Sequence, residues 1–303
     1  MKPEWTGVYP AITTKFNESG ELDLPSFLKN IEFQVESGVS GVIIGGSLGE
    51  SSTLTMREKF RLVQSLQSCR AKVPIVLNIA ESSTERAIEA ASHAEAEGAD
   101  GLMLLPPLLY KADPDETVDF FKEVAASTSL PILLYNNPVD YKIEITIDMF
   151  RKLQDVPNIE AVKESTRDVT NVIRMRNAFG SRFRIMGGVD TLCLESLMLG
   201  VDGLVAGLVC AFPKETVALY KLARAGRFDE AVRLYQWFMP LLELDIHPKL
   251  VQYIKLAEVY TRLGTEHVRA PRKKISGEER IKITELIENA IANRPDLPVF
   301  EAL

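Results

Sequence analysis

Short apolar runs alternate with stretches of helical period along most of the chain. Val8–Thr13, Gly41–Gly45, Pro74–Asn78, Gly101–Leu105, Pro131–Tyr135, Ile159–Lys163, Arg184–Met186 and Asp202–Ala206 read as strands. Their apolar residues run on rather than alternate, as in a parallel sheet covered on both faces. Between and after them, helices are predicted over Leu24–Ser37, Met56–Cys69, Thr84–Glu97, Pro114–Ser127, Thr146–Leu153, Asp168–Phe179, Thr191–Leu199 and Pro213–Ala225. Phe27, Ile31 and Val35 stand at four-residue steps in the first, and Gly38 is its stop. Eight strand–helix units with no odd strand imply closure into a (β/α)8 TIM barrel. An open doubly wound sheet is disfavoured because no GxGxxG follows the first strand. From Phe228 the pattern is helical without strands: Phe228–Leu242, His247–Leu263 and Ser276–Asn293. The expected organisation is a catalytic barrel over 1–226 and a three-helix appendage over 227–303 packed on it.

Composition narrows the function. A 46% hydrophobic and 25% charged chain of 303 residues is an ordinary globular protein with a sizeable core. A net charge of −7, with no basic cluster denser than Arg272-Lys273-Lys274, argues against a nucleic-acid partner. No apolar run has the length of a membrane span, and Met1–Trp5 carries no signal-peptide core, so no membrane partner and a cytoplasmic location are expected. Cys69, Cys193 and Cys210 lie far apart, outside any CxxC, which fits a reducing compartment. His93, His247 and His267 are too scattered for a metal cluster, so no metal is expected.

In such barrels the chemistry sits at the C-terminal ends of the strands. There, Lys163 ends the sixth strand, in Ile159-Glu160-Ala161-Val162-Lys163-Glu164-Ser165. A surface lysine is the ordinary reading of a strand end. A lysine withdrawn from water instead offers a neutral amine that attacks a carbonyl to form a Schiff base. The second strand leads into Gly45-Gly46-Ser47-Leu48-Gly49-Glu50. Glycines there let the backbone present N–H groups to a carboxylate, and Ser47 adds a hydroxyl. Tyr135 ends the fifth strand, placed to relay a proton or to fill space. Gly187-Gly188-Val189-Asp190 follows the seventh, and Ala206-Gly207-Leu208 after the eighth leaves room. Together these suit a 2-oxo acid: the loop holds its carboxylate, Lys163 attacks C2, and the phenol moves protons.

Gly-Ser-Leu-Gly-Glu-Ser at 46–51, Tyr-Asn-Asn-Pro at 135–138, Val-Lys-Glu-Ser at 162–165 and Gly-Gly-Val-Asp at 187–190 resemble the dihydrodipicolinate synthase/N-acetylneuraminate lyase family. The order and spacing match over essentially the whole chain. The resemblance implies a class I Schiff-base lyase with no cofactor beyond the covalent imine on Lys163. Tyr135 then matches the proton-shuttling tyrosine and Ser47 the first hydroxyl of the G-[ST]-T-G-E loop. Gly46, Leu48, Gly49, Gly188 and Tyr110 are the candidate substrate contacts. The partner is a small 2-oxo or imino acid, and a homotetramer is implied.

Three departures bear on substrate. Leu48 replaces the loop's second hydroxyl. Val139-Asp140-Tyr141 stands where synthases carry an arginine for aspartate semialdehyde. Leu108 and Leu109 replace the paired tyrosines after the fourth strand, leaving Tyr110 beside them. The hydroxyl relay of a synthase is thus expected to be incomplete. Leu-Leu-Pro-Pro-Leu-Leu-Tyr-Lys at 104–111 and His-Pro-Lys-Leu-Val-Gln-Tyr at 247–253 are similar to a branch that converts 1-pyrroline-4-hydroxy-2-carboxylate to 2-oxoglutarate semialdehyde. An apolar pocket with Leu48 and Leu109 would suit that compact ring, and this deaminase is the favoured reaction. A pyruvate-dependent aldolase, or dihydrodipicolinate synthase itself, is the alternative. A non-catalytic 2-oxo-acid-binding barrel and a phosphate-binding isomerase are the readings of other kinds. The roles of Glu50 and Glu164 stay open.

Overall fold

A computed structural model describes residues 1–67, 69 and 72–298. The eight strands are β1 (Gly7–Pro10), β2 (Val42–Ile44), β3 (Ile75–Ile79), β4 (Gly101–Leu104), β5 (Ile132–Asn136), β6 (Ile159–Glu164), β7 (Arg184–Gly187) and β8 (Gly203–Ala206). They form one sheet, ordered β1-β8-β7-β6-β5-β4-β3-β2, with every pairing parallel. Just past β1, the Ile12 amide donates to Ile43 O at 2.9 Å, and the bridge Ala11↔Ile43 closes the ring. This is the expected (β/α)8 barrel.

The α-helices are α1 (Leu24–Glu36), α2 (Met56–Leu66), α3 (Thr84–Ala94), α4 (Pro114–Ala126), α5 (Pro138–Tyr141), α6 (Ile147–Leu153), α7 (Asn171–Phe179), α8 (Cys193–Met198), α9 (Pro213–Arg224), α10 (Phe228–Leu242), α11 (Leu250–Tyr260) and α12 (Gly277–Ala292). Their starts follow local chemistry. Thr55 and Glu58 make a reciprocal capping box on α2, and Asp113 and Glu116 do so on α4, with Pro114 in its first turn. The predicted end of α2 includes Ser68, which lies outside the described residues, as do 299–303 of the helical region. Short elements that escaped the sequence reading include α5 and a 3-10 turn over Glu243–Ile246.

Side chains alternate between two cores. Ala11, Ile43, Val76, Met103, Leu133, Ala161, Met186 and Val205 fill the barrel interior, whereas Val42, Leu77, Leu134, Val162 and Ile185 pack outward under the helices. α12 packs on both α10 and α11, and α10 lies against α9 and α8.

Buried charges tie the appendage to the mouth. Lys15 donates to Glu258 Oε1 at 2.6 Å, both fully buried, and Thr13 Oγ1 donates to the same oxygen at 2.7 Å. Burial pushes the Glu258 carboxyl up, and the Lys15 ammonium opposes it. Lys255 on α11 pairs with Glu50, also fully buried, and burial lowers the lysine to about 8 against that carboxylate's pull. Deleting one member of such a pair strands the other. Lys15→Met is expected to cost about 3–5 kcal/mol, read as a lower denaturant midpoint at unchanged slope.

Candidate active site

Strand parity decides which way Lys163 points. On β6, Ala161 faces the barrel interior and Val162 faces out, so Lys163 faces in and Glu164 out. Lys163 is 7% exposed, and among the described residues its amine has no hydrogen-bond or ion-pair partner. In register beside it on β5 is Tyr135, whose ring lies under Nζ with 4.0 Å to the centroid. The surface reading of this lysine is thereby set aside. Both residues line a cavity of about 540 Å³ at the C-terminal mouth, with Ser47, Tyr141, Gly188 and Asp245. A hollow of about 570 Å³ near Leu66, Asp100 and Pro131 opens at the opposite end, away from where barrels place their chemistry.

Three of the candidate contacts line the mouth: Gly46, Leu48 and Gly188. Gly188 has a steric reason to be glycine. A Cβ there would lie 2.2 Å from Ser165 Oγ and 2.6 and 2.7 Å from Lys163 Cγ and Cε. Ser165 Oγ donates to Gly188 O at 3.0 Å, which ties the ends of β6 and β7 together. In the loop after β2, the Ser47 and Leu48 amides have no acceptor among the described residues, which leaves them free for a carboxylate. Gly49 lies beneath this loop instead. Its carbonyl accepts from Thr14 Oγ1 at 2.6 Å, and a Cβ on it would meet Ile12 O at 2.8 Å.

Tyr110 and Leu109 are corrections. Both lie outside the cavity of this chain: Leu109 is 95% exposed with φ 77, and Tyr110 is 55% exposed with its hydroxyl on Glu116 Oε2 at 3.0 Å. The turn at Leu109 carries the pair away from the mouth. The pocket is also less apolar than expected, since Asp140, Arg167, Asp245 and His247 line it.

Glu50 and Glu164 are braces. Glu50, in a left-handed conformation with φ 60, accepts from Lys255 and from the Arg269 amide at 3.1 Å. Glu164 accepts from the Thr166 amide at 2.8 Å and from Asn171 Nδ2 at 2.7 Å. Burial raises its carboxyl despite these bonds. Asp190 is buried and accepts from the Gly207 and Leu208 amides, at 3.1 and 2.8 Å, which fixes the turn after β8.

The residue that sequence reasoning missed is Tyr141. Asn137 caps α5, accepting from the Asp140 amide at 3.2 Å, and Pro138 opens its first turn. One turn on, Tyr141 lies edge-to-face on Tyr135, centroids 5.5 Å apart, with its hydroxyl bonded to Ser47 Oγ. Burial, then the neighbouring Tyr135 phenol, raises its pKa. Tyr141 thus brings to the mouth, from within the chain, a hydroxyl that the sequence reading did not place there. The Asn-Asn-Pro cap was the available signal. Tyr141→Phe is expected to lower turnover by about 10²-fold with the fold intact, checked by steady-state kinetics and circular dichroism.

Comparisons with known proteins show the family. Residues 4–290 match the model of the dihydrodipicolinate synthetase family. The chain belongs to that family. The 4-hydroxy-tetrahydrodipicolinate synthase of Methanothrix thermoacetophila is 31% identical over 287 residues, covering 93% of this chain and 95% of that protein. The dihydrodipicolinate synthase of Aquifex aeolicus superposes with a TM-score of 0.89 at 26% identity, covering 94% of this chain and 97% of that one. An Acinetobacter baumannii dihydrodipicolinate synthase solved with pyruvate superposes with a TM-score of 0.89 at 25% identity, over 94% of this chain and 98% of that one. Family members are class I lyases, and the chain is an enzyme of that class acting on small molecules. Among the described residues no helix is long and apolar enough to cross a membrane.

Proposed function

We propose that Lys163 forms a Schiff base with the carbonyl carbon of a small 2-oxo acid, pyruvate foremost, and that the enamine made from it carries a synthase-type condensation. The observation that carries this is the inward, unpartnered Lys163 amine over the Tyr135 ring. The amine attacks C2, and the resulting carbinolamine loses water to give the iminium. Ser47 and the free amides beside it take the carboxylate. Tyr135, with Tyr141 and Ser47 behind it, moves the proton that leaves C3 and the one that enters the departing C2 oxygen of the carbinolamine. The iminium is the electron sink. No metal or redox cofactor enters this scheme, and the oligomer remains the tetramer implied by the resemblance.

The relatives' names favour the 4-hydroxy-tetrahydrodipicolinate synthase reaction, the alternative at the level of sequence, over deamination of 1-pyrroline-4-hydroxy-2-carboxylate. A second reading keeps the deaminase because α5 contributes Asp140 to the lining, which repels the carboxylate of aspartate semialdehyde, while the arginine in the lining is Arg167, after β6. Two assays separate them. Consumption of pyruvate together with aspartate semialdehyde supports the synthase; ammonia release from the pyrroline, without that condensation, supports the deaminase. Failure of both reactions rejects both specific readings.

A further inference from the structure

The turn after β8 was expected to leave open space beside Gly207. The structure fills it. The 3-10 turn Glu243–Ile246, between α10 and α11, brings Asp245 over the barrel mouth. A Cβ on Gly207 would lie 2.0 Å from Asp245 Oδ1 and 3.2 Å from Leu48 Cδ2. Gly207 and Asp245 are therefore complementary: only the missing side chain on β8's end admits the carboxyl. The same construction sets Asp245 beside Leu48, in the loop whose amides await the substrate carboxylate.

Three facts separate Asp245 from the other carboxyls at this end of the barrel. Asp190 is spent on the Gly207 and Leu208 amides. Asp140 is bonded to Asn137 Nδ2 at 2.7 Å. Asp245 is half-buried, lines the same cavity as Lys163, and has no hydrogen-bond or ion-pair partner among the described residues. Burial raises its pKa, the Asp190 charge adds to this, the Lys163 charge opposes it and Asp140 adds a little more. A carboxyl so placed serves as a proton donor rather than as a fixed anion.

We propose that Asp245, delivered by the helical appendage, handles the oxygen on C4 of the Lys163-bound substrate. This rests on the Schiff-base reading above and extends it to the second half of the reaction. In condensation, the enamine C3 attacks an aldehyde carbon, which becomes C4. The C=O π pair moves to oxygen, which takes the Asp245 proton and becomes the 4-hydroxyl, while C2 returns to iminium. In cleavage the same proton goes back to Asp245 as the C3–C4 bond breaks. In dehydration, the enamine nitrogen's pair restores the iminium and the C2=C3 pair shifts to C3=C4. The C4–O bond breaks in that same step, its pair going to the oxygen, and the hydroxyl leaves as water with the Asp245 proton. All three move one proton between Asp245 and the same oxygen, given in condensation and dehydration and taken back in cleavage, so the assignment is independent of which the enzyme performs. The substrate class it implies is a 4-hydroxy-2-oxo acid, or the aldehyde and 2-oxo acid that combine to one.

The test compares full-length wild type with Asp245→Asn, Asp245→Glu and Gly207→Ala. One readout is exchange of pyruvate C3 hydrogens for deuterium, which needs Lys163 but has no C4 oxygen. The other is conversion of 4-hydroxy-2-oxoglutarate, followed as pyruvate release or loss of the 4-hydroxyl, with borohydride-trapped adducts counted by mass spectrometry. D245N is expected to lower conversion of the hydroxy acid by about 10²-fold or more. Its pyruvate exchange should fall less than about fivefold, because the exchange step itself does not use this acid. D245E should recover part of the loss, and G207A, by displacing the carboxyl, should reproduce it. Equal loss of both reactions in D245N would mean a structural role and overturn the proposal. So would unchanged conversion, or a wild type that forms the hydroxy-acid adduct and leaves its C4 oxygen untouched. Absence of any wild-type adduct on Lys163 is a different failure, that of the Schiff-base reading itself, and removes the proposal with it.

Discussion

Lys163→Ala is expected to lower turnover by on the order of 10⁴-fold or more while leaving thermal stability equal or higher. The two halves of this result have one cause. The Lys163 amine is buried at the barrel mouth and makes no hydrogen bond or ion pair among the described residues. It therefore adds little to holding β6 in place, and its removal relieves the desolvation of an unpaired polar group. Lys15, equally buried but paired with Glu258, has the opposite signature: its loss costs stability. Kinetics and thermal unfolding on the two variants separate a lysine kept for chemistry from one kept for structure. A stability loss in K163A comparable with that of K15M would contradict the assignment.

Gly188→Ala is expected to cost about 10²-fold in turnover, with about 1–3 kcal/mol of destabilisation. The added methyl would lie 2.6 Å from Lys163 Cγ and 2.7 Å from Cε. These are the atoms that aim the amine. The methyl also comes 2.2 Å from Ser165 Oγ, whose bond to Gly188 O joins β6 to β7. The backbone of Gly188 is not in the left-handed region, so strain is not the mechanism; displacement of the lysine is. Burst-phase trapping of the pyruvate adduct checks this, because a misaimed lysine slows adduct formation itself. Adduct formation at the wild-type rate would mean that the lysine relaxes freely around the methyl.

The barrel was legible because parallel strands buried on both faces leave long apolar runs, and each run here is followed by a helix of clear period. Lys163, Tyr135 and Ser47 were legible because each sits at or just after a strand end, where barrel chemistry collects. The parity of β6 carried more than was read from it. With Ala161 inward, Lys163 is inward and Glu164 outward, which answers the open question about Glu164. Glu50 was beyond reach in the sequence because its partners, Lys255 and the Arg269 amide, lie over 200 residues away.

The loops held the rest. Tyr110 and Leu109 follow β4 in sequence, yet the left-handed turn at Leu109 sends them out. Tyr141 brings its own hydroxyl to Ser47, and its position depends on a four-residue helix too short for a periodic pattern. Asp245 has no sequence signal of its own. Its place follows from how α10 and α11 pack and from the empty side of Gly207. Polar residues in this outer ring differ from the apolar pocket on which the deaminase expectation was built. The comparisons with known synthases lean the same way.

The most direct measurement is borohydride trapping with pyruvate, followed by peptide mass mapping. The account predicts one reduced adduct per chain, on the peptide carrying Lys163, and none in the K163A variant. An adduct on another lysine, or none at any pyruvate concentration, would contradict it.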